Sequence, residues 1–356
     1  MREFPLSECE RNFVTRAAAE DTRLDGRALL ESRPVKIYFG SNWGCCLTVL
    51  GQTRVVAQVS CDIQQPKASR PNEGMLYINV ELNPLAAPHF EGNRQSDIAV
   101  VLNRQLEKCF KDSKCIDLES LCIVADKQAW NIRVDVSIIN HDGNLIDCAS
   151  IATLAALSHF HRPDVTATGN EIIVHPFSEK DPLPMTLFHY PVCVSFITFE
   201  NGKIVMDPTY LEERIAVAQL TMGINSYREL CCLYFEDLAK IMVDCDIISE
   251  VSDHAADWSV KLVQQIKAAV SADVNARYRK EECPEYRFKD CVAVKNLKTL
   301  ISERVHIKLA KWERDPRLDD EGSEMDVSDD EIIEYDEQII KLGEGSAELV
   351  TPEMND

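Results

Sequence analysis

The stretch best placed for chemistry is "HDGNLID" (141–147), where an apolar run turns through Asp142-Gly143 into a small-residue segment with helical spacing. A strand that turns into a helix N-terminus offers unpaired backbone N–H groups and the positive end of the helix dipole, a natural anion pocket. A phosphate held there requires small, hydroxylated or basic side chains around it. The chain supplies Asn144, Leu145, Ile146 and Asp147. The backbone pattern is that of a phosphate site, and the side-chain chemistry is not.

A second candidate is cationic. Over roughly 94–113 the sequence predicts a helix, and at about 100° per residue Ile98, Leu102, Leu106 and Cys109 fall on one side. Arg104, Lys108 and Lys111 share the opposite side at spacing i, i+4, i+7. Such a stripe suits a polyanion, although the ordinary fate of helix charges is a solvated face. Other chemistries lack their patterns. His159 and His161 flank Phe160 with no nearby Cys or carboxylate to complete a metal set. No Gly-x-Ser-x-Gly elbow frames a nucleophile, and no Gly-rich phosphate or dinucleotide loop occurs.

The elements that must position these residues read as an α+β protein. Runs at 34–40, 45–51 and 53–63, parted by Gly-containing turns, predict an antiparallel meander. A polar, Pro-rich loop (64–74), a strand (75–82), the basic helix, two strands (119–126 and 128–140) and the helix after Asp142-Gly143 follow. The order then begins again more loosely, with strands at 171–177, 192–199, 203–207, 214–223 and 229–235 and a helical region over 236–279. Two related strand-rich units with flanking helices, packed as one body, are expected. Before them, 1–20 reads as an amphipathic segment with Phe4, Leu6, Phe13, Val14 and Ala17 among charges.

The net charge of −21 is unevenly placed, because 318–356 holds fifteen acidic residues and only one basic residue. The acidic total therefore describes mainly a tail and leaves a nucleic-acid surface on the body open. From about 313 the composition lacks a periodic core face, which predicts a disordered acidic tail (313–356). Within it, Ser323 and Ser328 precede acidic residues, as acidophilic kinases prefer, and "EIIEY" (331–335) has the composition of an added edge strand. The fourteen cysteines include no Cys-x-x-Cys pair and sit mostly in apolar contexts, as expected of reduced thiols in an intracellular protein. No apolar run reaches the roughly 18 residues that span a bilayer, so a soluble chain without a membrane partner is expected.

Several long motifs agree in order with one family. "RLDGR" (23–27), "RPNEGMLYINVELNPLAAPHFEGNR" (70–94), "DSKCIDLESLCIVADKQAWNIRVDV" (112–136), "HDGNLIDCASIATLAALSHFHRPDV" (141–165) and "DPTYLEE" (207–213) resemble the RNase PH family, in particular its members in the ring of the eukaryotic exosome. The match spans about 5–300, which gives an RNase PH-like domain over 21–312. In active members the turn is similar to Asp-Gly-Gly-Thr-Arg, whose Thr and Arg hold the attacking phosphate. Asn144, Leu145 and Ile146 stand in the last three places, and a dianion beside them is desolvated without compensation. Active members also carry an acid in a stretch similar to Asp-x-Pro, where this chain places His189.

The resemblance thus implies a non-catalytic ring subunit that scaffolds the ring and lines an RNA channel for 3′-to-5′ processing and decay, in nucleus, nucleolus and cytoplasm. Its implied partners are single-stranded RNA, held without regard to sequence, the other RNase PH-like subunits of a hetero-hexameric ring, RNA-binding cap subunits and an associated nuclease. No cofactor and no metal are implied. Arg104, Lys108 and Lys111 match basic positions on the family's RNA path, and Arg70 and Arg94 match further basic positions near the channel. The alternatives are an active phosphorolytic exoribonuclease, against which the lost Thr-Arg pair speaks, and a sibling non-catalytic ring subunit.

Overall fold

The computed structural model describes residues 5–91, 96–168, 171–177, 179–237, 245–279, 339–343 and 346–349. The chain divides into two units, Met1–Ile301 and Ser302–Asp356. In the first, Ser7 opens helix α1 (Glu8–Ala19) with a reciprocal capping box, its hydroxyl accepting from the Glu10 N–H and its own N–H donating to the Glu10 carboxylate. Val14 and Ala18, one turn apart, bury against Ile197, Phe199, Val205 and Ile215. Phe13, expected with them, lies beside that narrow line and is 62% exposed.

Strands β1 (Val35–Phe39), β2 (Cys45–Leu50) and β3 (Thr53–Gln64) form the expected meander. β4 (Met75–Leu82) does not extend it, because the chain crosses over through helix α2 (Asp97–Leu106) before the sheet resumes. After short β5 (Cys122–Val124), β6 (Gln128–Asn140) pairs antiparallel with β3 and parallel with β4, giving the order β1-β2-β3-β6-β4. The strand expected over 119–126 is cut to its centre by a 3-10 turn at Glu119–Leu121, where the Asp117 carboxylate accepts from the N–H groups of Glu119 and Ser120.

Helix α3 (Leu145–His159) is buried almost throughout, so it has no polar face, and it packs on β2 and β3 on one side and on the second sheet on the other. Short ladders follow, β7 (His161–Arg162) with β10 (Leu183–Pro184) and β8 (Val165–Thr168) with β9 (Glu171–Val174). The second sheet is built of β11 (Val192–Thr198), β12 (Ile204–Met206), β13 (Ala218–Ile224) and β14 (Leu230–Asp237), in the order β12-β11-β13-β14. The strand expected from 214 starts later, because a Thr209–Glu212 capping box draws Tyr210–Ile215 into helix α4. Helix α5 (Cys245–Arg279) packs on α3, β11 and β13.

No disulfide joins the cysteines among the described residues, and burial pushes the Cys46 thiol up to about 12, an inert core thiol. In the second unit β15 (Ile339–Gly343) and β16 (Ser346–Leu349) form an antiparallel hairpin that the expectation of disorder did not include. The rest of 313–356, with Ser323, Ser328 and "EIIEY", lies outside the described residues, as does Arg94.

Candidate functional site

The turn before α3 is built as the sequence suggests, and its anion pocket is occupied from within. Gly143 has φ +82, and a Cβ there would stand 2.5 Å from the backbone of Thr209 and Tyr210, so only glycine fits. Asn144 follows in the left-handed region at φ 52. Its N–H, which an incoming anion would need, donates to the Glu213 carboxylate at 2.7 Å. Its side-chain amide donates to Asp147 at 2.7 Å and to Asp207 at 2.6 Å. Leu145 and Ile146 are buried in the main core.

Three carboxylates therefore converge on the N-terminus of α3. Asp207 is gripped by Arg33 through Nε and Nη2, each at 2.9 Å, and by the Arg33 N–H at 2.7 Å, with Arg27 adding a contact at 3.0 Å. Desolvation acts to raise its carboxyl, but the Arg33 hydrogen bonds and charge outweigh it and hold Asp207 below the usual range. Asp147 accepts from the Ser195 N–H at 2.9 Å and hydroxyl at 2.8 Å, yet desolvation pushes it up to about 7. Desolvation likewise pushes Glu213 up to about 8 against the Asn144 N–H, although Glu213 keeps some exposure. A phosphate brought here would have to displace Glu213 from the Asn144 N–H, and it finds no free hydroxyl or cation at positions 145 and 146.

The cationic face is the opposite case. Ser96 caps α2 by accepting from the Ala99 N–H at 3.2 Å, and the buried face is Ala99, Leu102, Gln105 and Leu106. Ile98, expected on that face, is displaced by one residue and is 47% exposed. Beyond Leu106 the helix widens into a π turn, Glu107–Asp112, with i to i+5 bonds from Ser113 to Lys108 and from Cys115 to Phe110, both 3.3 Å. Uniform helical spacing fails there, so Arg104, Lys108 and Lys111 do not share one continuous stripe. Arg104 and Lys108 are exposed, without a carboxylate partner among the described residues. Lys111 is half-buried, 3.9 Å from Glu107, and lines a cavity of about 660 Å³ with Arg70, whose guanidinium is 3.0 Å from Glu73.

Lys108 lines a different cavity, of about 500 Å³, together with His189, Ser113 and Glu229. His189 Nε2 lies 3.2 Å from the Ser113 hydroxyl. Since that hydroxyl donates to the Cys109 carbonyl at 2.6 Å, the His189 ring donates to it. Desolvation lowers the His189 pKa, against the opposing charge of Glu229. Residues 142–146 do not line this cavity, where His189 stands beside Lys108 and Glu229. Sequence reasoning missed Arg33, Asp207 and Glu213, although the acidic residues of "DPTYLEE" were a signal that the pocket was filled.

Models of the 3′ exoribonuclease (RNase PH) family match the chain twice, domain 1 over 31–163 and domain 2 over 189–257. The chain belongs to this family. Among its relatives, "Exosome complex component RRP45" of Danio rerio is 43% identical over 310 residues, covering 87% of this chain and 78% of the relative. The human protein of that name is 40% identical over 352 residues, 99% and 74% of the two chains. That of Schizosaccharomyces pombe is 38% identical over 277 residues, 78% and 94%. The solved structure "archaeoglobus fulgidus exosome with RNA bound to the active site" is similar in fold, with TM-score 0.64 at 24% identity over 72% of this chain and 98% of that one.

Proposed function

We propose that the chain is a non-catalytic RNase PH-like subunit of the exosome core ring. Its place is that of the RRP45-named relatives, and the likeness of "PHFEGNR" (88–94) and of the acidic tail to exosome component nine is read as belonging to that place. In this reading the chain scaffolds the ring beside other RNase PH-like subunits and lines a channel through which single-stranded RNA passes to a nuclease bound elsewhere, with cap subunits at the entrance, in nucleus, nucleolus and cytoplasm. Arg104, Lys108 and Lys111, with Arg70 and Arg94, hold RNA phosphates and ignore base identity.

The observation that carries the catalytic part is the Glu213 carboxylate on the Asn144 N–H. An internal carboxyl group occupies the donor that phosphorolysis needs for phosphate. Native mass spectrometry of the complex isolated through a tag on this chain tests the reading. A ring with one copy of this chain and five other RNase PH-like chains is expected, and a free monomer or a homo-oligomer would contradict it.

A further inference from the structure

The cavity beside Lys111 contains a feature that phosphate binding does not require. Tyr77, on the outer face of β4, is 40% exposed, and the ammonium groups of Lys67 and Lys111 stand 5.8 and 5.5 Å from its ring centroid. A second aromatic, Phe188, lines the same cavity and is 60% exposed. An exposed aromatic face flanked by cations offers a surface on which a flat ring can stack beside a charge.

The charges narrow the chemistry of the occupant. Lys67, Arg70, Lys111 and Lys114 line the cavity, and so do Glu73, Asp112, Asp117 and Glu119, so the wall is close to neutral overall. Glu73 is engaged by Arg70, and Asp117 is turned into the 3-10 turn, where it accepts two backbone N–H groups. Lys67 and Lys114 have no carboxylate partner among the described residues. A free inorganic anion would find little net attraction here. A ligand with a flat ring and an attached phosphate uses both resources, stacking on the aromatic and placing its charge on the lysines. At about 660 Å³ the cavity lies within the size range of small-molecule sites.

We propose that this cavity is a base-stacking station for single-stranded RNA, with one base on the Tyr77 ring and Lys67 and Lys111 on the phosphates that flank it. The station rests on the reading of the chain as a channel wall and adds what that reading lacks, a contact to a base. Both lysine stems are flexible, so a base arriving against the ring moves an ammonium from the ring to the phosphate beside it. Because every base has a π face, the contact is tolerant of sequence.

The test uses the full chain, alone and in the complex isolated through its tag, with a short single-stranded RNA carrying 5-iodouridine. Irradiation should crosslink the RNA to Tyr77 or Phe188. Tyr77→Leu should weaken binding about tenfold with an unchanged dependence on salt, while Tyr77→Phe binds as the wild type. Lys67→Gln should instead flatten the salt slope by about 0.7. AMP alone should compete poorly, and competition as strong as that of RNA would make this a mononucleotide site and overturn the proposal. Wild-type affinity for Tyr77→Leu without crosslinks at either ring, while changing Arg104 and Lys108 to Gln still weakens RNA, would remove the station and leave the channel wall standing. No RNA binding in any form would remove both.

Discussion

The N-terminus of α3 and the turn from α2 into the π helix are the two places that the family resemblance marks for anions, and they are built in opposite ways. At α3 every charge is answered from within, with Glu213 on the Asn144 N–H and Asp207 held by Arg33 and Arg27. At the second place, Arg104 and Lys108 are exposed, with no carboxylate partner among the described residues. A buried helix N-terminus must find partners within the protein, because buried donors and charges are costly when unpaired. A surface that only steers a polyanion has no such obligation and keeps its charges free.

Reopening the filled site by mutation should therefore be costly. Restoring the family's pair with Leu145→Thr and Ile146→Arg should destabilise the protein by at least about 4 kcal/mol, since position 146 is in the core and an arginine there has no partner. Thermal melting should show the loss, and no phosphorolysis should appear. Asp207→Ala leaves the buried Arg33 with only the Asp142 carboxylate at 3.7 Å and should cost about 3–5 kcal/mol, read by chemical denaturation. A small effect would mean that water reaches the network and that the site is not sealed.

A pH titration sharpens the contrast more gently. Asp147 is pushed up to about 7 in the fold against about 3.9 unfolded, so the fold favours its protonated form. Its contribution is complete below the unfolded value and is lost as pH rises toward 7. Asp207, held low, acts only in acid, where its contribution disappears as pH falls below the usual carboxylate range. Asp147→Asn reproduces the neutral form, with its oxygen toward Asn144 and its amide toward Ser195. The melting temperature of the wild type relative to this variant should fall by a few degrees between pH 6 and pH 8. Taking the difference removes His159 and His161, whose burial lowers their pKa and acts with the opposite sign. A flat difference would mean that Asp147 is ionised throughout.

The free surface should give the smallest effect on folding and a specific effect on binding. Changing Arg104, Lys108 and Lys111 together to Gln should leave melting nearly unchanged and flatten the slope of log RNA affinity against log salt by about 2 in the assembled complex. Lys111, already near Glu107, should account for the least of this.

Most elements of the first sheet were legible, because alternation and Gly turns specify strands locally. Two features were not. The π turn arises from hydrogen bonding after Leu106, which side-chain periodicity does not encode, so one stripe was expected where Lys108 and Lys111 line different cavities. The filling of the anion pocket depends on Glu213, some seventy residues from Asn144, and only the fold brings them together. Leu145 and Ile146 could be read as offering no group to a phosphate, but the Glu213 carboxyl on the Asn144 N–H could not be read.

The most direct test of the account is to incubate single-stranded RNA in phosphate buffer with the isolated chain, and with the complex after its other chains have been inactivated, and to measure nucleoside diphosphates. None is expected in either case, although RNA is bound. Phosphate-dependent release that persists in the chain itself and is lost with His189→Ala would contradict it, and would mean that Glu213 yields the Asn144 N–H to phosphate.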